Sequence, residues 1–321
     1  MKEFVINENE AGQRFDKYLA KLLREAPKSF FYKMMRKKNI TLNGKKATGN
    51  EKLACGDSVK LFLSDDTFEK FHGTEEAPRA YTALDIIYED SDILLINKPS
   101  GMLSQPAGDN TPSLVEYLTG YLLEKGAVTE ELLHTFHPGV CNRLDRNTSG
   151  LVAAGKSLSG LQEMSALFKT RNLHKFYLCM VQGVIQAPAH IRGYLYKNTS
   201  TNKVTIYKDK KEEALPIETK YRPLGDNGTC TLLEVELITG RTHQIRAHLA
   251  SVGHPILGDP KYGTKAYRKG QLLHSFRMEF PRGEGALKGL SGRSFSAPVP
   301  EFFLKKLKEE HLEESYYENL E

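Results

Sequence analysis

Apolar positions at helical spacing open the chain. Phe15, Leu19, Leu22 and Leu23 recur at three- and four-residue intervals, which predicts a short amphipathic helix over 14–24, broken by Pro27. Ser29 is placed to cap a second helix with apolar Phe30, Phe31, Met34 and Met35, whose remaining positions include Lys33, Arg36, Lys37 and Lys38. Ile40-Thr41-Leu42 then reads as a strand and Asn43-Gly44 as a tight hairpin turn. Val59, Leu61 and Leu63 alternate as a half-buried strand. Two helices and a small hairpin make a module of about 60 residues. Residues 64–80 lack a clear apolar period and read as a linker.

From Tyr81 the pattern turns to strands with a few helices. Ile93–Ile96 and Leu151–Ala154 are short apolar runs of the buried-strand type, the first ending at Asn97-Lys98-Pro99-Ser100-Gly101. Leu158, Leu161, Met164, Leu167 and Phe168 trace one helix face. Strands are expected over 175–181 and 229–237, the latter with Leu233, Val235 and Leu237 alternating with polar residues, and over 272–280. A helix over 242–251 stops near Gly253, with Pro255 beyond it. The fold class is α+β, with a mixed, mainly antiparallel sheet and flanking helices, preceded by the small α/β module.

Composition adds a charge asymmetry. Residues 1–62 carry 14 Lys/Arg against 7 Asp/Glu, whereas the remaining residues carry 31 against 33. The whole basic excess of a chain of net charge +5 sits in the N-terminal module, as expected of a polyanion-binding appendage on a near-neutral body. No apolar run reaches the roughly 18 residues of a membrane helix, and the polar, acidic start is not that of a signal peptide. Four scattered cysteines without a CxxC pair fit reduced thiols and a cytoplasmic location.

The stretch richest in chemistry is Arg143-Leu144-Asp145-Arg146-Asn147-Thr148-Ser149-Gly150-Leu151. A carboxylate among positive charges stays ionised and can serve as nucleophile or base, although an Asx-turn with a surface ion pair has the same sequence. Three further clusters follow the order of the chain around it. Asn97-Lys98-Pro99-Ser100-Gly101-Met102 precedes it, and His174-Lys175-Phe176-Tyr177-Leu178 follows. Gly240-Arg241-Thr242-His243-Gln244-Ile245-Arg246-Ala247-His248-Leu249 comes last, trailed by Gly253-His254-Pro255-Ile256-Leu257-Gly258-Asp259 and, more weakly, by Leu272-Leu273-His274-Ser275.

Together and in this order these clusters resemble the RluA-type pseudouridine synthases, to about residue 300. Arg14-Phe15-Asp16-Lys17-Tyr18-Leu19, the basic second helix and Ile40-Thr41-Leu42-Asn43-Gly44-Lys45 resemble an S4-type RNA-binding domain. The resemblance implies a pseudouridine synthase fold and an isomerase that converts chosen uridines in RNA to pseudouridine without metal or organic cofactor. Ribosomal RNA, 23S in particular, is the expected partner, with tRNA as the alternative. An RNA-binding assembly factor with secondary isomerase activity is the rival reading. The implied organisation is an S4-type domain at 1–70, a linker at 71–80 and a catalytic domain at 81–321, in a monomer.

Carried over by position, the resemblance makes Asp145 the catalytic carboxylate, Tyr177 the ring that packs on the target base and can assist proton removal, and Arg246 the partner of Asp145. RNA contacts are expected from Arg14, Lys33, Arg36, Lys37, Lys38 and Lys45 in the module and from Arg143, Arg146 and Arg241 near the site. Arg241 is also a rival partner for Asp145. Lys98 reads equally as a phosphate contact or as part of a plain turn. Leu144 and Leu151 are both candidates for the apolar wall of the pocket, although core packing suits Leu151 better. His243 and His248 lie five apart rather than at the i, i+4 spacing of a helical metal site. One departure stands out: Asn142 occupies the position before Arg-Leu-Asp where family members often carry His, so no acid/base group titrates there near neutral pH.

Overall fold

The computed structural model describes residues 1–73, 78–108, 110–263, 270–312 and 316. The N-terminal part runs β1 (Lys2–Val5), α1 (Phe15–Leu22), α2 (Lys28–Arg36), β2 (Ile40–Leu42), β3 (Lys45–Lys46), β4 (Ser58–Leu61) and α3 (Asp65–His72). Its antiparallel strands lie in the order β1-β4-β2-β3. One face of α1 (Phe15, Tyr18, Leu19, Leu22) packs with Phe31 and Met35 of α2 and with Ile40, Val59 and Leu61 of the sheet. Asn43 and Gly44 both take positive φ, the backbone that a two-residue turn needs between right-twisted strands.

Two local readings change. The second helix starts at Lys28 behind Pro27 rather than at a Ser29 cap; proline has its φ fixed and lacks the N–H that a helix start leaves unpaired. Residues 65–72, expected as linker, form α3. Ser64 caps it by accepting from Thr67 N–H at 3.3 Å, Asp65 and Asp66 favour its positive end, and Phe68 is buried in the module's core. One short apolar pair, Phe68 and Phe71, is too little periodicity to reveal it. Residues 74–77 of the expected linker lie outside the described residues.

The larger part contains β5 (Ile86–Glu89), β6 (Ile93–Lys98), α4 (Leu114–Glu124), α5 (Glu130–Leu133), β7 (Gly139–Val140), β8 (Ser149–Gly155), α6 (Leu158–Thr170), β9 (His174–Gln182), β10 (Ala189–Asn198) and β11 (Lys203–Tyr207). It continues through β12 (Leu215–Asp226), β13 (Cys230–Leu237), α7 (Gln244–Ser251), β14 (Leu273–Glu279), β15 (Ser294–Ser296) and α8 (Glu301–Glu309). One eleven-stranded sheet results, ordered β11-β10-β12-β13-β9-β14-β8-β6-β5, with β15 on β14 and β7 on β8. Among these strands only β14 and β8 pair in parallel, so the sheet is mixed and mainly antiparallel.

Helices cover both faces of the sheet's centre. Leu94, Ile96, Val152, Tyr177, Cys179, Leu233 and Val235 face α4 and α7. Ile93, Leu95, Leu151 and Ala153 face α6, while Leu178, Met180, Leu232 and Phe276 face α8. Strands covered on both sides need apolar residues at every position, which is why 93–96 and 151–154 read as unbroken runs. The expected polar alternation of 229–237 fails for the same reason. Cys230 to Val235 are all buried, and the buried Glu234 is satisfied by Arg222 and by Arg277 at 3.1 Å.

The two parts touch. The Arg24 guanidinium donates to the Leu133 carbonyl at 3.1 Å, Thr135 donates to the buried Glu10 carboxylate, and the His72 and His134 rings lie 4.5 Å apart.

Candidate active site

Asp145 sits in the loop between β7 and β8, at the mouth of a cleft of about 1130 Å³. The loop is tied down on both sides. Ser104 Oγ accepts from Leu144 N–H at 3.0 Å and donates to the Leu144 carbonyl at 2.8 Å. Beyond the loop, Gly150 takes φ +106°, and a Cβ there would fall 2.2 Å from the Ser275 carbonyl of β14. Only glycine allows β8 and β14 to approach so closely beside the carboxylate.

Neither neighbouring arginine pairs with Asp145. Arg143 reaches Gln105 Oε1 at 3.4 Å, and Arg146 Nε donates to the Gly101 carbonyl at 3.0 Å; both are exposed. The partner comes from 101 residues away: Arg246 Nη1 on α7 donates to Asp145 Oδ2 at 2.6 Å. Arg241, the rival, is exposed at the cleft rim without a bond to Asp145.

Arg246 is itself gripped from behind. Its Nε donates to Asp259 Oδ2 at 2.7 Å and its Nη2 to Oδ1 at 2.8 Å. Asp259 is 0% exposed and also accepts the backbone N–H groups of Lys261 at 2.8 Å and Tyr262 at 3.1 Å. The Tyr262 ring lies 5.4 Å from the guanidinium. Burial works against both charges, but their mutual attraction and hydrogen bonds prevail. The Asp259 carboxyl is held below the usual carboxylate range and the Arg246 guanidinium above its ordinary value. Asp145 thus has Oδ2 bound and Oδ1 without a hydrogen bond to Arg246, in a side chain that lines the cleft and is 25% exposed against 7% for Arg246.

Tyr177 projects from β9 into the same cleft. Burial, with the Asp145 charge adding, pushes its phenol up to about 12. The phenol is therefore held in its neutral form, suited to packing and to donating a hydrogen bond. Proton removal, the second role expected for it, suits such a group poorly at neutral pH. Leu144 lines the cleft, whereas Leu151 is fully buried in the core on the far face, as expected of each.

Lys98 is neither a phosphate contact nor part of a plain turn. It is fully buried at the end of β6, and its Nζ donates to the carbonyls of Pro99 at 2.9 Å, Met102 at 2.9 Å and Arg146 at 3.2 Å. It bolts the 99–102 turn to the carboxylate loop. Burial lowers it to about 7, against the pull of Asp145. A lysine closing an apolar strand is the signal the sequence carries for this role. Asn142 is structural: its Oδ1 accepts Ala153 N–H at 2.8 Å, pinning the loop to β8.

The site also draws on residues to which the sequence alone assigns no such part: Asp259 and Tyr262, Lys98, which reads there as a phosphate contact or a plain turn, and His243, which figures there only in setting a metal site aside. His243 Nε2 lies 3.9 Å from Asp145 Oδ1, while His248 turns away to Thr219 Oγ1 at 3.0 Å. Among the described residues, no group of three or more His, Cys, Asp or Glu could hold a metal ion. Of the expected RNA contacts, Lys33, Arg36, Lys37, Lys38 and Lys45 are exposed on the N-terminal module, far in sequence from the cleft. The fork of Arg14 is closed on Asp16 at 2.8 and 3.0 Å and on Asn50 at 2.7 Å, so that side chain offers less to a phosphate.

Residues 92–251, the span holding Asp145, Tyr177 and Arg246, match the family model described as RNA pseudouridylate synthase. Ribosomal large subunit pseudouridine synthase C of Vibrio parahaemolyticus is 34% identical over 292 residues, 86% of this chain and 87% of that protein. The protein of the same name from Escherichia coli is 32% identical over 272 residues, 83% and 81% of the two chains. In fold, the structure of human RNA Pseudouridylate Synthase Domain Containing 4 superposes with a TM-score of 0.56 at 22% identity, over 71% of this chain and 94% of that one. Similarity at this level over most of the length shows that the chain belongs to the RNA pseudouridylate synthase family and is an isomerase acting on RNA.

Proposed function

We propose that this protein isomerises specific uridines of large-subunit ribosomal RNA to pseudouridine, with Asp145 as the catalytic carboxylate. The single observation that carries the site assignment is the Arg246–Asp145 bond. A guanidinium fixed from behind holds Oδ2 and leaves Oδ1 for chemistry in a cleft wide enough for a nucleotide.

The reaction breaks the bond from the ribose to uracil N1, turns the base, and rejoins it through C5, which gives up its proton. Breaking a glycosidic bond builds positive charge on the sugar, and a close carboxylate stabilises or captures it. Asp145 Oδ1 either attacks the sugar or deprotonates it to a glycal; both need an ionised, oriented carboxylate, which Arg246 supplies. The uridine must first leave its stack, at a cost of a few kcal/mol. Packing on Tyr177 offsets about 1–3 kcal/mol of that. Leu144 gives the detached base an apolar wall while it turns.

Ribosomal RNA as the target rests on the names of the Vibrio and Escherichia relatives. The N-terminal module supports it as an S4-type RNA-binding domain, which α3 extends to His72 rather than to the expected residue 70, ahead of the catalytic domain at 81–321. Its exposed Lys33, Arg36, Lys37 and Lys38 form a basic strip along and just beyond α2, the arrangement that binds phosphates with little sequence information. The protein acts as a monomer in the cytoplasm, consistent with its four free cysteines.

The test uses total RNA labelled with 5-tritiated uridine in cells lacking the protein, because forming the C5 bond releases the label. Asp145→Asn should abolish release and leave RNA affinity within about threefold, since truncating only the chemistry spares uniform binding. Mapping the restored pseudouridines should place them in large-subunit rRNA. An active Asp145→Asn enzyme would overturn the site, and sites confined to tRNA would overturn the target.

A further inference from the structure

Asp145 Oδ1, the oxygen left free by Arg246, has a neighbour of its own. His243 Nε2 stands 3.9 Å away, with the imidazole mostly buried at the cleft wall. The approach is not accidental backbone geometry. His243 takes φ +54°, a conformation that costs a β-carbon residue about 1 kcal/mol or more, just before α7 begins. The strained backbone turns the ring into the cleft rather than along the helix.

The ring is also aimed. The Tyr262 hydroxyl lies 2.9 Å from His243 Nδ1 and accepts the Val204 backbone N–H of β11 at 3.0 Å. With one acceptor position of the phenol oxygen already used, its own proton is free to go to Nδ1. A neutral imidazole with Nδ1 accepting carries its proton on Nε2, facing the carboxylate. The other tautomer would turn a lone pair toward Asp145, which electrostatics disfavours. Burial holds the imidazole below its ordinary value against the pull of Asp145. Arg246 on α7 and Lys261 in the following loop push the same way as burial, and Asp259 opposes them. Burial thus favours the neutral ring.

We propose that His243 is a positioning residue for Asp145: its Nε2–H, aimed by the Tyr262 hydroxyl, steers Oδ1 while Arg246 holds Oδ2, so the carboxylate plane is set from both sides before the ribose arrives. This rests on the reading of Asp145 as the catalytic carboxylate. At 3.9 Å the neutral Nε2–H orients Oδ1 electrostatically without closing a hydrogen bond on it, and so leaves that oxygen open to the sugar. Protonated His243 forms an ion pair with Oδ1 and occupies the oxygen that must meet the sugar, so the rate falls as pH drops through the titration of His243.

The assay is tritium release from total RNA labelled with 5-tritiated uridine, run with the full chain under saturating and limiting RNA across pH. Three variants are compared with wild type. His243→Leu removes the donor and should lower kcat roughly tenfold or more with KM within about threefold. His243→Gln returns an N–H near the Nε2 position and should recover most of the rate. Because Gln does not titrate, the acid limb of kcat should move down by roughly half a unit or more. Tyr262→Phe keeps the ring on Arg246 and removes only the aiming hydroxyl; it should give a smaller loss of kcat in the same direction and is the fallback if His243→Leu does not fold. Equal loss in His243→Leu and His243→Gln with an unmoved acid limb would reduce His243 to packing and overturn the proposal. Wild-type rates in His243→Leu or Tyr262→Phe would overturn it too. Asp145→Asn is run alongside: if it is active, the reading of Asp145 has failed; if it is dead while His243→Leu is normal, only the role of His243 has.

Discussion

Arg246 divides its nitrogens between two acids, and the division decides what each acid can do. Nε and Nη2 go to Asp259, which has no exposure and is further fixed by two backbone N–H groups; Nη1 goes to Asp145, which is partly open to the cleft. Asp259 is therefore the anchor, and Asp145 is the group left open for the proposed chemistry. Asp259→Asn keeps the shape but removes the charge, leaving Arg246 with one acid partner and an amide that cannot accept on both atoms. Loss of one partner from a buried pair costs about 3–5 kcal/mol, so a drop of that order in chemical-denaturation stability is expected. The loss of tritium release should exceed the fraction unfolded, because the guanidinium is then free to swing from Asp145. Unaltered activity in the folded fraction would argue against the anchor. Asp145, Tyr177 and Arg246 are legible in the sequence because each sits inside a motif. Asp259 is visible there only as the end of a trailing motif, and Tyr262 not at all. Their meaning comes from the loop after α7 folding back on it, an approach that no local pattern encodes. The arginines beside Asp145 mislead for the same reason: adjacency in sequence puts them on its flanks, and the turn sends both side chains elsewhere.

At the scale of elements, the site depends on β8 and β14, the parallel pair of the sheet, meeting next to the carboxylate loop. Gly150 makes that approach possible. Gly150→Ala would place a Cβ 2.2 Å from the Ser275 carbonyl at φ +106°, a clash with backbone on both counts. Either the strands part or the loop twists. Thermal unfolding should show destabilisation of roughly 2 kcal/mol or more, and activity in the folded fraction should fall because Asp145 lies five residues away. A stable, fully active Gly150→Ala protein would mean that the loop is held by Lys98 and Ser104 alone. Most elements can be read from apolar runs and turn residues, since Ile93–Ile96 and Leu151–Ala154 declare strands covered on both faces. Those that cannot are instructive. The buried Glu234 of β13 looks in sequence like the polar side of an alternating strand, and only the arrival of Arg222 from the adjacent β12 and of Arg277 from β14, across β9, lets it be buried. Helix α3 is hidden because Phe68 and Phe71 are its only large apolar residues.

Across the whole molecule, charge and chemistry are separated. The basic excess lies on the N-terminal module, and the carboxylate lies in the large sheet, with docking through Arg24, Glu10 and His72 between them. Removing the module would strip its cover from Thr135 and His134, so deletion confounds weaker RNA binding with damage to the catalytic part. Replacing Lys33, Arg36, Lys37 and Lys38 together by Gln avoids this: all four are exposed, and none belongs to the docking surface. Each phosphate that a lysine or arginine no longer neutralises lowers the slope of log affinity against log salt by about 0.7–0.9, so four such phosphates reduce it by roughly 3. Affinity for rRNA should fall most at low salt and converge with wild type as salt rises, where counterion release no longer favours either protein. At saturating RNA the rate of tritium release should stay at the wild-type value if the strip only delivers substrate and does not touch the reacting atoms. If the slope is unchanged, the strip is a solvated face and the module binds rRNA by another surface. If the slope falls and the saturated rate falls with it, the strip also orients the target uridine in the cleft beside Asp145.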